Sequence, residues 1–133
     1  MKLVFADTIG LLAQWDESDQ WHDAAISALN ELLSSRSQLV TTTYVLLECG
    51  NAAARRPYRD AVIDLCHRLE QYRQLIAPTD DDWQLAWQAY ERREAAQAGI
   101  VDHVSFQDMR RLNIQEAFTN DRHFAAAGFQ TLF

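Results

Sequence analysis

Four acidic residues stand where a solvated carboxylate is out of place. Asp7 follows the apolar run Leu3-Val4-Phe5-Ala6, and Glu48 lies between Val45-Leu46-Leu47 and Cys49-Gly50. Asp102 follows Ile100-Val101, and Asp121 follows Phe118-Thr119-Asn120. A carboxylate removed from water must pair, take up a proton or hold a cation, because left alone it costs several kcal/mol. Several such groups converging favour the cation. Asp7, Asp102 and Asp121 each have a simpler reading as helix N-caps. Glu48 falls in mid-helix, so its alternative is an ion pair with Arg55 or Arg56. Seven residues of helix separate Glu48 from Arg55, about 10.5 Å along the axis, which is too far for easy contact.

Other chemistries find little support. His22, His67, His103 and His123 show no zinc-ligand spacing, and there is no Gly-rich phosphate loop or G-x-S-x-G elbow. Cys49 and Cys66 lack a C-x-x-C pattern and read as buried thiols of a reducing compartment. Arg55, Arg56 and Arg59 cluster beyond the Glu48 helix, where they either guide phosphates toward the acidic residues or simply complement a helix C-terminus. Arg92-Arg93 and Arg110-Arg111 read as surface pairs, and Asp80-Asp81-Asp82 as a capping run that matches a helix dipole.

Length and composition narrow the class of molecule. A chain of 133 residues with 48% hydrophobic content is enough for one core, so residues 1–133 are expected to form a single domain. A net charge of −7 argues against bulk electrostatic gripping of nucleic acid, although a carboxylate metal site would itself supply part of that charge. Lys2 is the only lysine, so the other cations are arginines, whose planar forks suit phosphate. The opening apolar run is too short for a signal peptide or a membrane span, which predicts a cytoplasmic protein.

The elements that must hold these residues alternate. Strands are expected over 2–6, 37–41, 75–77, 117–119 and 129–133. Helices are expected from Ile9 to Trp15, from about Asp19, from Thr42 or Thr43 toward Arg56, and from Pro57 to about Tyr72. Further helices follow: one from Asp80 ended by Gly99, one over 101–112, and a short one from Asp121 stopped by Gly128. Trp83, Trp87 and Tyr90 share one helical stripe and read as core, with part able to serve a dimer face. Such alternation implies a parallel sheet covered by helices on both faces, with functional groups beyond the carboxyl ends of the strands. Asp7 and Asp121 fall at such ends.

The ordered set Val4-Phe5-Ala6-Asp7-Thr8, Tyr44-Val45-Leu46-Leu47-Glu48, Asp102 to Arg110, and Ala117 to Phe124 followed by Ala127-Gly128-Phe129 resembles the motif series of PIN domains. The nearest subgroup by this resemblance is the VapC-like toxins of bacterial toxin-antitoxin pairs. The resemblance covers nearly the whole chain; no single motif is specific, and the order carries the weight. It implies an α/β fold, a three-layer α/β/α sandwich with a central, mostly parallel sheet. It also implies a metal-dependent endoribonuclease whose acidic cluster binds Mg2+ or Mn2+.

Carried over by position, the cluster is Asp7, Glu48, Asp102 and Asp121, supported by the hydroxyls of Thr8, Ser105 and Thr119. His103 stands beside Asp102 where a small residue is commoner. The resemblance further implies an RNA substrate, a small cognate antitoxin and a homodimer, with Arg55 and Arg56 as candidate substrate contacts. The alternative is a PIN-like module that binds RNA or protein without cutting, and retention of all four acidic positions argues against it.

Overall fold

A computed structural model describes residues 1–133. Strand β1 (Leu3–Ala6) runs into helix α1 (Thr8–Trp15), followed by α2 (His22–Ser34), β2 (Gln38–Thr42), α3 (Thr43–Ala53) and α4 (Arg59–Gln71). The chain continues through β3 (Leu75–Ile76), α5 (Asp80–Glu91), a one-turn α6 (Glu94–Gln97) and α7 (Ile100–Arg111). It ends with β4 (Glu116–Phe118), α8 (Arg122–Ala126) and β5 (Gln130–Thr131). The five strands form one sheet in the order β3-β2-β1-β4-β5, with every pairing parallel.

Side chains alternate across a strand, so the central strands feed two cores. Phe5 and Ala117 turn to the larger core, with Val45 and Cys49 of α3, Val62 and Leu65 of α4, Phe106 and Met109 of α7, and Phe124 of α8. Val4 and Phe118 turn the other way to meet Ala13 of α1 and Ala25, Ala28 and Leu32 of α2. The result is the expected three-layer α/β/α arrangement. Parallel strands need crossover connections, and the helices supply them while hiding both faces of the sheet. No helix is long and apolar enough to cross a membrane.

Several local expectations need correction. Pro57 lies in the turn before α4, whose N-cap is Tyr58. The helix after Asp80 stops at Glu91, eight residues before Gly99, and Gly99 is instead the N-cap of α7. Between them the backbone turns left-handed at Arg93, Ala95, Ala96 and Gln97, a path that periodicity does not reveal. Trp83, Trp87 and Tyr90 are 48%, 40% and 45% exposed, so this stripe is not core. The α5 side chains that enter the interior are Asp82, Ala86 and Ala89. Cys49 is buried, whereas Cys66 is only partly so and donates to Glu70.

The exposed Arg111 and the capping Asp82 also share a network. Arg111 Nη2 donates to Asp108 Oδ1 at 2.8 Å and to Asp82 Oδ2 at 3.2 Å, tying α7 to α5. Asp82 also closes the capping box with Thr79. Burial pushes the Asp108 carboxyl up to about 7, and its hydrogen bond to Asp82 adds to the rise. Asp82 goes the other way, to about 2: burial opposes its ionisation, but the bonds it accepts from Asp108, Thr79 and Arg111 outweigh that. A protonated Asp108 donating to an ionised Asp82 accounts for both directions.

Candidate active site

The carboxyl edge of the sheet gathers residues from four separate elements. Asp7 is the first residue after β1 and the N-cap of α1; its Oδ2 accepts the Ile9 amide at 3.4 Å. It accepts a second bond at the same oxygen, 3.0 Å from Thr119 Oγ1 just beyond β4. The Asp121 amide in turn donates to that Thr119 hydroxyl at 3.1 Å, and Asp121 caps α8. One threonine therefore links two of the acidic residues across the β1-β4 pair.

That closeness depends on Gly10. A Cβ at this position would collide with the Phe118 carbonyl oxygen and lie 2.7 Å from its carbon. Both are backbone atoms that cannot swing aside. The missing side chain lets α1 lie against the end of β4, and so brings Asp7 to Thr119.

Glu48 joins from α3. Its Oε1 accepts from Thr8 Oγ1 at 2.6 Å, and no arginine pairs with it. The expectation of a dry Glu48 face is wrong in detail: Glu48 is half-buried and its neighbour Leu47 is 67% exposed. Asp102 is the third residue of α7 and caps nothing, since Gly99 occupies the cap. Its capping explanation fails, whereas Asp7 and Asp121 do cap helices.

The four carboxylates lie close enough to influence one another's ionisation. Asp7 is buried, and burial pushes its carboxyl from 3.8 up to about 7, opposed by the Thr119 hydroxyl and reinforced by the Asp121 charge. Asp102 is pushed up to about 8, first by burial and then by the charges of Asp7, Asp121 and Glu48. The Cys49 thiol is pushed up to about 12 by burial and by Asp7 and Glu48, so it is no nucleophile at neutral pH. No lysine or arginine pairs with any of the four carboxylates. A crowd of partly buried oxygen donors without a balancing cation fits a hard divalent ion.

Other nominated residues lie apart. Ser105 Oγ donates back to the Val101 carbonyl at 3.1 Å and touches none of the carboxylates. Arg55 and Arg56 are exposed in the turn beyond α3. One site residue escaped the zinc-spacing argument: His123, whose Nδ1 lies 2.7 Å from Asp121 Oδ1. Donor atoms of Asp102, Asp121 and His123 lie within 4.8 Å of one another. The signal was present as Asp121-x-His123 at a helix start, a spacing that returns the ring to the cap.

The PIN domain family model matches residues 4–130. The chain belongs to the PIN domain family. Two relatives, the 23S rRNA-specific endonuclease VapC20 of two Mycobacterium tuberculosis strains, are each 32% identical over 129 residues, covering 96% of this chain and 95% of theirs. The crystal structure of Mycobacterium tuberculosis VapC20, described as a sarcin-ricin loop cleaving toxin, superposes with a TM-score of 0.76 at 28% identity, over 95% of each chain. FitAcB from Neisseria gonorrhoeae superposes with a TM-score of 0.66 at 13% identity, over 98% of this chain and 96% of that one; at this identity the likeness concerns the fold.

Proposed function

We propose that this PIN domain chain is a metal-dependent endoribonuclease, the toxin of a toxin-antitoxin pair acting in the cytoplasm. It hydrolyses RNA phosphodiesters at the cluster of Asp7, Glu48, Asp102 and Asp121. The observation that carries the reading is the convergence of these carboxylates from four elements with no lysine or arginine to balance them. The relatives named as 23S rRNA-specific endonucleases, matched over nearly the full length, support RNA as the substrate. The reading takes residues 1–133 as one nuclease domain and a small antitoxin as its inhibitor.

In this reading Asp7 and Asp121 would hold Mg2+ or Mn2+, and Glu48 and Asp102 would orient waters or a second ion. A bound divalent ion supplies a Lewis acid for the phosphate and a bound water of lowered pKa. Thr119 fixes Asp7 in one rotamer and braces the Asp121 backbone, and Thr8 does the same for Glu48. These bonds hold the oxygens in place before any substrate arrives, so little reorganisation is left for the reaction. Ser105 acts at most through the α7 backbone. Arg55 and Arg56, at the end of the Glu48 helix, offer exposed positive charge to flanking phosphates.

The exposed ladder Trp83, Trp87 and Tyr90, with Tyr44 edge-on to Trp83, supports a homodimer face on α5 and α3. Aromatic groups this exposed are enriched at protein interfaces.

The test is cleavage of 23S rRNA and other structured RNAs by antitoxin-free protein, with Mg2+ or Mn2+ against chelator, and with Asp7→Asn in parallel. Discrete cuts that need metal and vanish in the variant support the enzyme. A folded protein that cuts nothing with either metal overturns it in favour of the binding module.

A further inference from the structure

Two consecutive buried hydroxyls stand at the end of β2: Thr41 is 1% exposed and Thr42 is fully buried. Burying a hydroxyl costs free energy unless it finds a partner, and valine has the same β-branched shape and suits a strand equally well. Neither the strand nor the core requires these oxygens, yet each has a definite partner. Thr41 Oγ1 donates to the Ala6 carbonyl at 2.6 Å, and Thr42 Oγ1 accepts the Val45 amide at 3.1 Å as the cap of α3. Ala6 is the last residue of β1, and its carbonyl belongs to the peptide unit that leads into Asp7. The other end of that unit, the Asp7 amide, donates to the Phe118 carbonyl of β4 at 3.4 Å.

A peptide unit is planar, so holding its carbonyl from β2 and its amide from β4 sets the direction in which the Asp7 Cα leaves the strand. The next turn closes a circuit. Thr8 donates to Glu48 at 2.6 Å, Glu48 rides on α3, and α3 starts from Thr42. Asp7 and Glu48 are thus spaced twice, once through Thr8 and once through the Thr41-Thr42 step of β2. We infer that Thr41 is a positioning residue: its hydroxyl, acting through the Ala6–Asp7 peptide, fixes the aim of the Asp7 carboxylate relative to Glu48. The inference rests on the metal-dependent reading of the acidic cluster, and adds to it a residue that touches neither substrate nor ion. Removing a group that orients a metal ligand from behind typically costs about 10- to 100-fold in metal affinity or activity.

The test starts with the full chain titrated calorimetrically with Mn2+ alone, without RNA. Thr41→Val keeps the shape and removes the hydroxyl, and is expected to bind Mn2+ about tenfold more weakly than wild type, or weaker still. Thr41→Ser keeps the hydroxyl without the methyl and is expected to recover most of that affinity, whereas Thr41→Ala is not. With an RNA that the wild type cuts, under saturating Mn2+, kcat of Thr41→Val should fall by a similar factor with KM little changed, because a residue 1% exposed meets no RNA. A purely structural hydroxyl would lower the urea midpoint of Thr41→Val and leave Mn2+ affinity and kcat at wild-type values, and that result overturns the inference. So does equal Mn2+ affinity in the serine and alanine variants, a pair that still decides the question when the valine variant fails to fold. In the unsubstituted chain the Thr41 hydroxyl proton should exchange slowly enough to be seen by NMR, and a rapidly exchanging proton overturns the inference without any variant. Wild-type chain that binds no Mn2+ and cuts nothing overturns the metal-dependent reading together with the inference. Wild-type Mn2+ binding that is lost in Asp7→Asn keeps that reading standing, whatever Thr41 does.

Discussion

Asp7→Asn makes the cost of the acidic cluster measurable. Asp7 is 2% exposed, and its carboxyl sits at about 7 instead of 3.8. Between those two values the folded chain keeps a proton that the unfolded chain has already lost. Folded stability therefore falls as pH rises from about 4 to about 7, by roughly 1.4 kcal/mol per pH unit for this one group. A shift of about three units puts the full penalty near 4 kcal/mol at neutral pH without metal.

Asparagine has the same shape, is neutral throughout, and caps helices as well as aspartate does. Its oxygen can still accept from Thr119 and Ile9, but its NH2 replaces the free oxygen and needs a new acceptor, which takes back part of the gain. Removing the Asp7 charge also relieves Asp102. The expected net effect is a stabilisation of about 2 kcal/mol at pH 7.5 in chelator, shrinking toward zero near pH 4.5, with cleavage abolished. Urea unfolding followed by tryptophan fluorescence should show the midpoint rising by roughly 1 M. Adding Mg2+ or Mn2+ should stabilise the wild type and leave the variant unchanged. A variant less stable than wild type at pH 7.5 in chelator, or pH profiles that run parallel, would refute this account of Asp7.

Gly10→Ala should cost more than 3 kcal/mol or prevent folding, because its Cβ would collide with the Phe118 backbone; thermal unfolding and circular dichroism read this directly. Ala96→Gly should do the reverse and stabilise by about 1 kcal/mol, since Ala96 sits at φ 56° where a Cβ is strained. An unchanged unfolding midpoint for Ala96→Gly would count against that strain. Trp87→Glu should yield a monomer by light scattering while leaving the fold intact, because its side chain is 40% exposed and not part of either core. A dimer unaffected by this charge places the interface elsewhere.

Much of this molecule is legible from one-dimensional pattern. Strand-helix alternation gives the parallel sheet, because hydrophobic periods of 2 and 3.6 are local properties of the chain. Thr79 with Asp82, and Thr42 before α3, are capping signals readable within four residues. The four carboxylates stand out because a charge among apolar neighbours is a local anomaly. Ordered motifs along the chain were enough to suggest the PIN family.

What periodicity could not decide is which face of α5 meets solvent, since Ala86 and Ala89 make as regular a stripe as Trp83, Trp87 and Tyr90. The helix turns its small residues inward because α5 packs closely on α7, and tertiary space selects volume as well as hydrophobicity. Arg111 reads as one of a surface pair and remains 40% exposed, but only the packing of α5 on α7 shows that its guanidinium reaches the buried Asp82 and Asp108. His123 was set aside because no second histidine lies at metal spacing, yet its partners, Asp102 and Asp121, belong to two helices joined through β4. The left-handed turn at Ala95 and Ala96 has no glycine to announce it. Gly10 looks ordinary in the sequence, and only the approach of the Phe118 carbonyl shows why a side chain there is forbidden. Pattern along the chain specifies elements, while the site is made by contacts between residues more than a hundred positions apart, such as Thr119 and Asp7.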